Sequence, residues 1–200
     1  MLNYDDTLIL FGRSPYINKI DKYIPELCKK YHTMGCNYFC NSYPDVEYVV
    51  FYDDIVPNIQ PHHTIITNIK HAHIETKKCN RLVRDHKKTE LYMINRNSNS
   101  FTDNSYALNF CIHTPSMALN WAYKKGFNTV VLAGIDLVVN TPHFDKDTTP
   151  DADGPDFTDS AIFKAREHLT KVAQRYLKIY QLNPQSDIDL PKIKIKDLLK

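Results

Sequence analysis

The stretch that most constrains this chain is "TPSMALNWAYKKGFNTVVLAGIDL", residues 114–137. Its first part reads as a helix capped by Thr114, with Pro115 at the first helical position and Gly126 as the stop. Its second part, Thr129 to Ala133, is a short uninterrupted apolar run ending at Gly134, the pattern of a strand buried on both faces. Helix, glycine and buried strand in immediate succession form the unit of an α/β protein.

The same grammar opens the chain. In "TLILFGRSPYINKID" an apolar run, Leu8 to Phe11, meets a Gly-Arg-Ser-Pro turn, after which Ile17, Ile20, Ile24 and Leu27 recur at the spacing of one helical face. Ser14 is the expected N-cap, with Pro15 at the first helical position. A helix start of this kind presents unpaired N–H groups and a positive dipole end, which suits a phosphate. The turn lacks the full G-x-G-x-x-G pattern and a P-loop lysine, so a plain βα connection fits it as well.

Between these units lie strand candidates at Gly35 to Cys40 and Asp45 to Asp54, rich in aromatic and β-branched residues, with a weaker signal at 63–69 and a short apolar run at Leu91 to Ile94. Residues 95–104 read as loop. A last helix, Ser160 to Leu177, leads into a final strand ending at Asn183 and Pro184, and the tail "LPKIKIKDLLK" reads as an edge strand or a solvated extension. The alternation predicts an α/β, Rossmann-like domain: a mostly parallel sheet with helices on both faces. The 200 residues suffice for one such domain, with 58–106 as a lid or acceptor insertion. Ligands of such sheets bind outside the carboxyl ends of the strands, here the loops at 12–15, 37–42, 53–57, 136–159 and 183–186.

Composition narrows the partners. A net charge of +2 is compatible with anionic ligands but far below the imbalance of an electrostatically driven nucleic-acid binder. No apolar stretch reaches a membrane span, and "MLNYDDT" lacks the regions of a signal peptide, so a cytoplasmic protein with no membrane partner is expected. The five cysteines include no C-x-x-C pair, which indicates reduced thiols rather than a disulfide framework or zinc knuckle.

"FGRSPYINKID", "CNYF", "VVFYDD", "HTPSMALNWAYKKGFNTVVLAGIDL" and "KIYQLNPQS" fall in the order and at the spacing of motifs in bacterial sialyltransferases of glycosyltransferase family 42. The chain resembles that family over roughly Leu8 to Ser186, and more widely a group of Rossmann-like domains that includes an archaeal pterin pyrophosphokinase. The resemblance implies a nucleotide-sugar donor of the cytidine type, transfer to a hydroxyl acceptor, and no required metal or cofactor. It implies donor contacts from Gly12, Arg13, Ser14, Asn37, Asp53, His113, Thr114, Asp136, Asn183 and Ser186. Arg13 stands where the family has asparagine and can clamp a phosphate bidentately. Asp53 also replaces an asparagine, and a carboxylate accepts hydrogen bonds without donating them.

Inverting transfer needs a base for the acceptor hydroxyl, and the family histidine before the last helix is missing. His143, Asp156 and Asp159 are the candidates. Each also has a plainer reading, His143 as a surface loop residue and Asp159 as a helix N-terminal charge. Asp145, Asp147, Asp151, Asp153 and Asp156 form an acidic cluster whose Asp-x-Asp motif suits Mg²⁺ or Mn²⁺, although acidic loops are common without metal. His71 and His73 lie in a polar segment that reads as solvated surface. If 70–88 is helical, Lys77, Arg81, Arg84 and Lys88 share one stripe, either a solvated face or a track for a polyanion. A soluble glycan and a hydroxymethylated base in DNA are therefore both candidate acceptors, the latter requiring base extrusion. Two other readings remain open: pyrophosphoryl transfer from ATP and magnesium to a pterin-like alcohol, and a nucleotide-binding module without catalysis.

Overall fold

A computed structural model describes residues 2–96, 99–111, 113–138 and 159–200, the last segment without the side chain of Asp159. Its centre is an eight-stranded sheet in the order β6-β5-β4-β3-β2-β1-β7-β8, every neighbouring pair of which is parallel. The strands are β1 (Thr7–Phe11), β2 (His32–Cys36), β3 (Tyr48–Val50), β4 (Thr64–Asn68), β5 (Thr89–Asn95), β6 (Ala107–Asn109), β7 (Thr129–Ala133) and β8 (Lys178–Gln181). The protein is thus an α/β, Rossmann-like fold. No helix among the described residues is long and apolar enough to cross a membrane.

β1 and β7 lie side by side in the interior of the sheet, β7 next to the edge strand β8, and both are buried along their whole length. That is why both read as unbroken apolar runs. Their alternate residues feed two separate cores. Leu8, Leu10, Val130 and Leu132 pack with Met117, Ala118 and Trp121 of α6 (Thr114–Lys124). Ile9, Phe11, Val131 and Ala133 pack on the opposite face with Ile17 and Ile20 of α1 (Ile17–Ile20) and with Ile24 and Leu27 of α2 (Ile24–Lys30). Helices therefore cover both faces.

Several local expectations are corrected. β2 ends at Cys36 rather than running to Cys40: Asn37 takes a left-handed φ of 54°, and the chain coils into the short helix α3 (Phe39–Ser42). The ring of Phe39 stacks on Phe11 at 4.8 Å, so the aromatic run that suggested a strand instead packs a helix onto the sheet. In 45–54 only Tyr48–Val50 is strand. Residues 70–88 do not form one helix but two short ones, α4 (Lys70–His73) and α5 (Asn80–Asp85), which breaks the stripe drawn through Lys77, Arg81, Arg84 and Lys88. The stretch 58–106 supplies β4 and β5 to the sheet. The last helix is regular only over α7 (Asp159–Glu167), then widens to π turns at His168–Val172 and tightens to 3₁₀ at Ala173–Arg175. The tail does lie along an edge, as a single bridge from Lys192 to Gln181 of β8, and ends in α8 (Ile195–Leu198) with Leu198 buried.

Candidate functional site

Because all strands are parallel, their carboxyl ends share one edge. The chain walks outward from β1 to β6, then returns through α6 to β7 on the other side of β1. The loops after β1 and β7 therefore diverge at a topological switch point, the position at which doubly wound sheets bind ligands.

At this point two backbones meet. A Cβ on Gly12 would lie 2.4 Å from the carbonyl oxygen of Gly134, and Gly134 has φ +68° with Ile17 Cγ1 2.6 Å from where its own Cβ would be. The Gly12 N–H donates to Ala133 O at 2.8 Å and that of Ser14 to Gly134 O at 2.9 Å. The Tyr16 N–H reaches Ser14 Oγ at 3.3 Å, and those of Ile17, Asn18 and Lys19 bond to the carbonyls of Ser14, Pro15 and Tyr16. The expectation of an open helix start is thereby corrected: these N–H groups are satisfied within the protein. Ser14 and Pro15 are not the N-cap and first residue of the helix as expected: α1 begins at Ile17 with Tyr16 at the N-cap position, and the Ser14 hydroxyl accepts the Tyr16 N–H in the turn before it.

The polar centre is Asp136, which is 8% exposed. One carboxyl oxygen accepts the Ser14 hydroxyl, and the other accepts Asn183 Nδ2 at 3.0 Å. Gln181 braces the same loops, donating from Nε2 to Ile135 O at 2.9 Å and to Ser186 Oγ at 3.2 Å. The Tyr16 hydroxyl donates to Leu182 O at 3.0 Å, and its pKa is raised, first by burial and then by the charge of Asp136. Ser14, Asp136 and Asn183 come from three loops distant in sequence, and the structure brings them together. Ser186 is bound into the turn after β8.

On the β2 side, Thr114 Oγ1 donates to Asn37 Oδ1 at 3.4 Å, joining the turn after β2 to the start of α6. The left-handed Asn37 turn also carries Tyr38, over whose ring the buried Arg13 guanidinium sits at 5.4 Å. Asp53 is exposed beyond β3.

His113, expected among the donor contacts, has a structural role at the start of α6. It is 4% exposed and acts as the N-cap of α6, its Nδ1 accepting the Ser116 N–H at 3.2 Å, a role expected of Thr114. Its ring packs edge to face on His168 at 6.2 Å. Neither ring nitrogen of His168 has a hydrogen-bond partner, and beside His113 the backbone of Ala165 works against the effect of burial. Burial, with the second histidine adding to it, pushes His113 down to about 3, and burial pushes His168 down to about 4.

His71 and His73 part company. His73 is exposed, whereas His71 is buried under Phe51, with Nδ1 2.9 Å from Thr67 Oγ1. Thr67 gives its own proton to Phe51 O at 2.7 Å, so the histidine must be the donor in the second bond and carries its proton on Nδ1. The i, i+4 spacing of Thr67 and His71 is the signal that could have located this pair.

Of the four basic residues assigned to an acceptor, Arg81 pairs with Asp85 at 3.4 Å and Lys88 reaches His62 O at 3.4 Å. His143, Asp156 and the acidic cluster from Asp145 lie outside the described residues, as does the side chain of Asp159. Among the described residues no group of three or more His, Cys, Asp or Glu is arranged to hold a metal. Comparison with protein-family models, with curated proteins and with solved structures yields no match.

Proposed function

We propose that this protein is a glycosyltransferase that takes a sugar from a nucleotide donor, of the cytidine type by its resemblance, to a hydroxyl on a soluble acceptor. The observation that carries the reading is the Asp136 carboxyl at the β1/β7 switch point, fixed by Ser14 and Asn183. A buried carboxyl of fixed orientation suits hydroxyl or amino donors, such as a ribose or an amino-bearing base, and repels phosphate. Arg13 is the cation of this edge that suits the phosphate. Asn37 and Thr114 add a polar contact for the remainder of the nucleotide.

In the transfer, a base removes the acceptor proton as its oxygen attacks the anomeric carbon, and the nucleotide leaves with the electrons of the broken C–O bond. His143, Asp156 and Asp159 remain the candidates for that base. The satisfied N–H groups of the Gly12–Lys19 turn count against a triphosphate cradle, and so against the pyrophosphokinase reading. The broken basic stripe gives less support to a DNA acceptor than to a glycan.

A thermal-shift screen of cytidine, uridine, guanosine and adenosine nucleotides, with CMP-N-acetylneuraminic acid and with ATP plus magnesium, tests the reading. Selective stabilisation by cytidine compounds supports it. Stabilisation by ATP and magnesium alone would contradict it, and cytidine binding without donor turnover would leave a nucleotide-binding module in its place.

A further inference from the structure

A cleft of about 420 Å³ opens at the opposite, amino edge of the sheet, within the size range of small-ligand sites. It is built from residues at or just before the starts of β1 to β5 and from the carboxyl end of α6: Asp5, His32, Glu47, Tyr48, Thr64 and Glu90, with Trp121, Lys125 and Phe127 above them. Three kinds of group in it favour a cation. Asp5, Glu47 and Glu90 bring three carboxylates against the single ammonium of Lys125. Tyr48 is a part-exposed aromatic ring in the cleft, backed by the buried Trp121 at 4.7 Å, which is itself 6.0 Å from the buried Phe127. The last turn of α6 points its negative dipole end to the same place.

The protein itself shows how an ammonium sits here. Lys125 Nζ lies 2.8 Å from Glu90 Oε1 and 5.6 Å from the centre of the Trp121 ring. Glu90 also accepts Trp121 Nε1 at 2.8 Å and the Tyr92 hydroxyl at 2.7 Å, so this carboxylate is rigidly placed. Glu47 is different: its side chain is 44% exposed and its partner is the ring of His32, at 2.6 Å. Burial, then a hydrogen bond to Glu47 and the charges of Glu47 and Glu90, push the Tyr48 hydroxyl up.

We infer that the amino-edge cleft is a binding site for a linear aliphatic polyamine, one ammonium set between Glu47 and Asp5 and its methylene chain laid along Tyr48. Two or more ammonium groups are called for because Lys125 offsets only one of the three carboxylates. The site lies at the opposite edge of the sheet from the switch point.

Trp121 is the single tryptophan of the chain and borders this cleft, so its fluorescence is a probe there. Titrating the full-length protein with spermidine should give a saturable emission change, absent with 1,4-butanediol and not reproduced by sodium chloride at matched ionic strength. Glu47→Gln should weaken binding about tenfold, the scale of one charged hydrogen bond in a partly exposed setting. Lys125→Met should strengthen it, since it frees Glu90 and removes a competing ammonium. Thermal melts of both variants establish that they are folded; if Glu47→Gln does not fold, Lys125→Met alone decides. A change that does not saturate, one that salt reproduces, or variants that leave the titration unmoved would overturn the inference.

Discussion

Gly12 and Gly134 touch backbone to backbone just past the ends of the neighbouring strands β1 and β7, leaving no room for a side chain on either. This contact lets the loops after β1 and β7 approach closely enough for Ser14 to reach Asp136. Gly12→Ala would drive its methyl into the Gly134 carbonyl and Ile135, neither of which is a flexible chain end. Overpacking of this kind costs about 1–3 kcal/mol, and the cost here belongs at the upper end. Chemical denaturation should show that loss, and unchanged stability would mean that the two strands can separate freely.

Acid should destabilise the protein earlier than its carboxylates alone require. His113 and His168 are held neutral by burial, at about 3 and about 4, whereas an unfolded chain protonates histidine near 6.5. Above that value both states are unprotonated and nothing is lost. As pH falls below it, the unfolded state binds protons that the folded state refuses, and stability drops by about 1.4 kcal/mol per pH unit for each histidine until the folded values are reached. Urea unfolding at pH 7.5, 6.0 and 5.0 measures the slope, and a flat profile across that range would contradict the burial of this pair.

His168→Phe separates this effect from the rest. The substitution replaces a ring whose two nitrogens are unpartnered by an apolar ring of similar shape, so stability at pH 7 should hold or rise. The acid slope should fall by about one proton. An equal slope in the variant would assign the pH dependence to other groups.

The thiols should be quiet. Burial pushes Cys36 and Cys40 up to about 12 and Cys28 up to about 11, while Cys79 is raised to about 12 by burial and then by Asp54. Cys111 is raised as well, again by burial. Thiolate is the reactive form, so native protein at pH 8 should react with a thiol reagent far more slowly than unfolded protein, in which all five are open. A rapidly labelled native cysteine would refute that environment.

What was legible in the sequence was what local chemistry dictates. β1 and β7 show as apolar runs because both faces of a central parallel strand are dry, and α6 shows because proline and glycine frame it. β2 was misplaced because its first residues, His32 and Thr33, are polar, while the aromatic residues after it pack a helix. The α6 cap was assigned to Thr114 because hydroxyl residues are the usual caps, yet a histidine ring nitrogen accepts the same N–H. Asp136, Ser14 and Asn183 are named by the resemblance as separate contacts, but their convergence on one carboxyl was not legible, since it depends on β7 returning beside β1. The burial of His168 against His113 was hidden for the same reason: the partners lie on separate elements, and a π turn at His168 breaks the helical phase.

The central claim is that the Asp136 carboxyl at the switch point receives a cytidine nucleotide. Calorimetric titration of CMP into the wild-type protein and into Asp136→Asn tests it most directly. The variant keeps the shape of the side chain but sets an amide against the amide of Asn183 and removes the charge. Saturable binding to the wild type is expected, with a loss of about 1.5–3 kcal/mol, roughly ten- to a hundredfold, in a folded variant. Equal affinity in the two proteins, or no binding of CMP to the wild type, would contradict it.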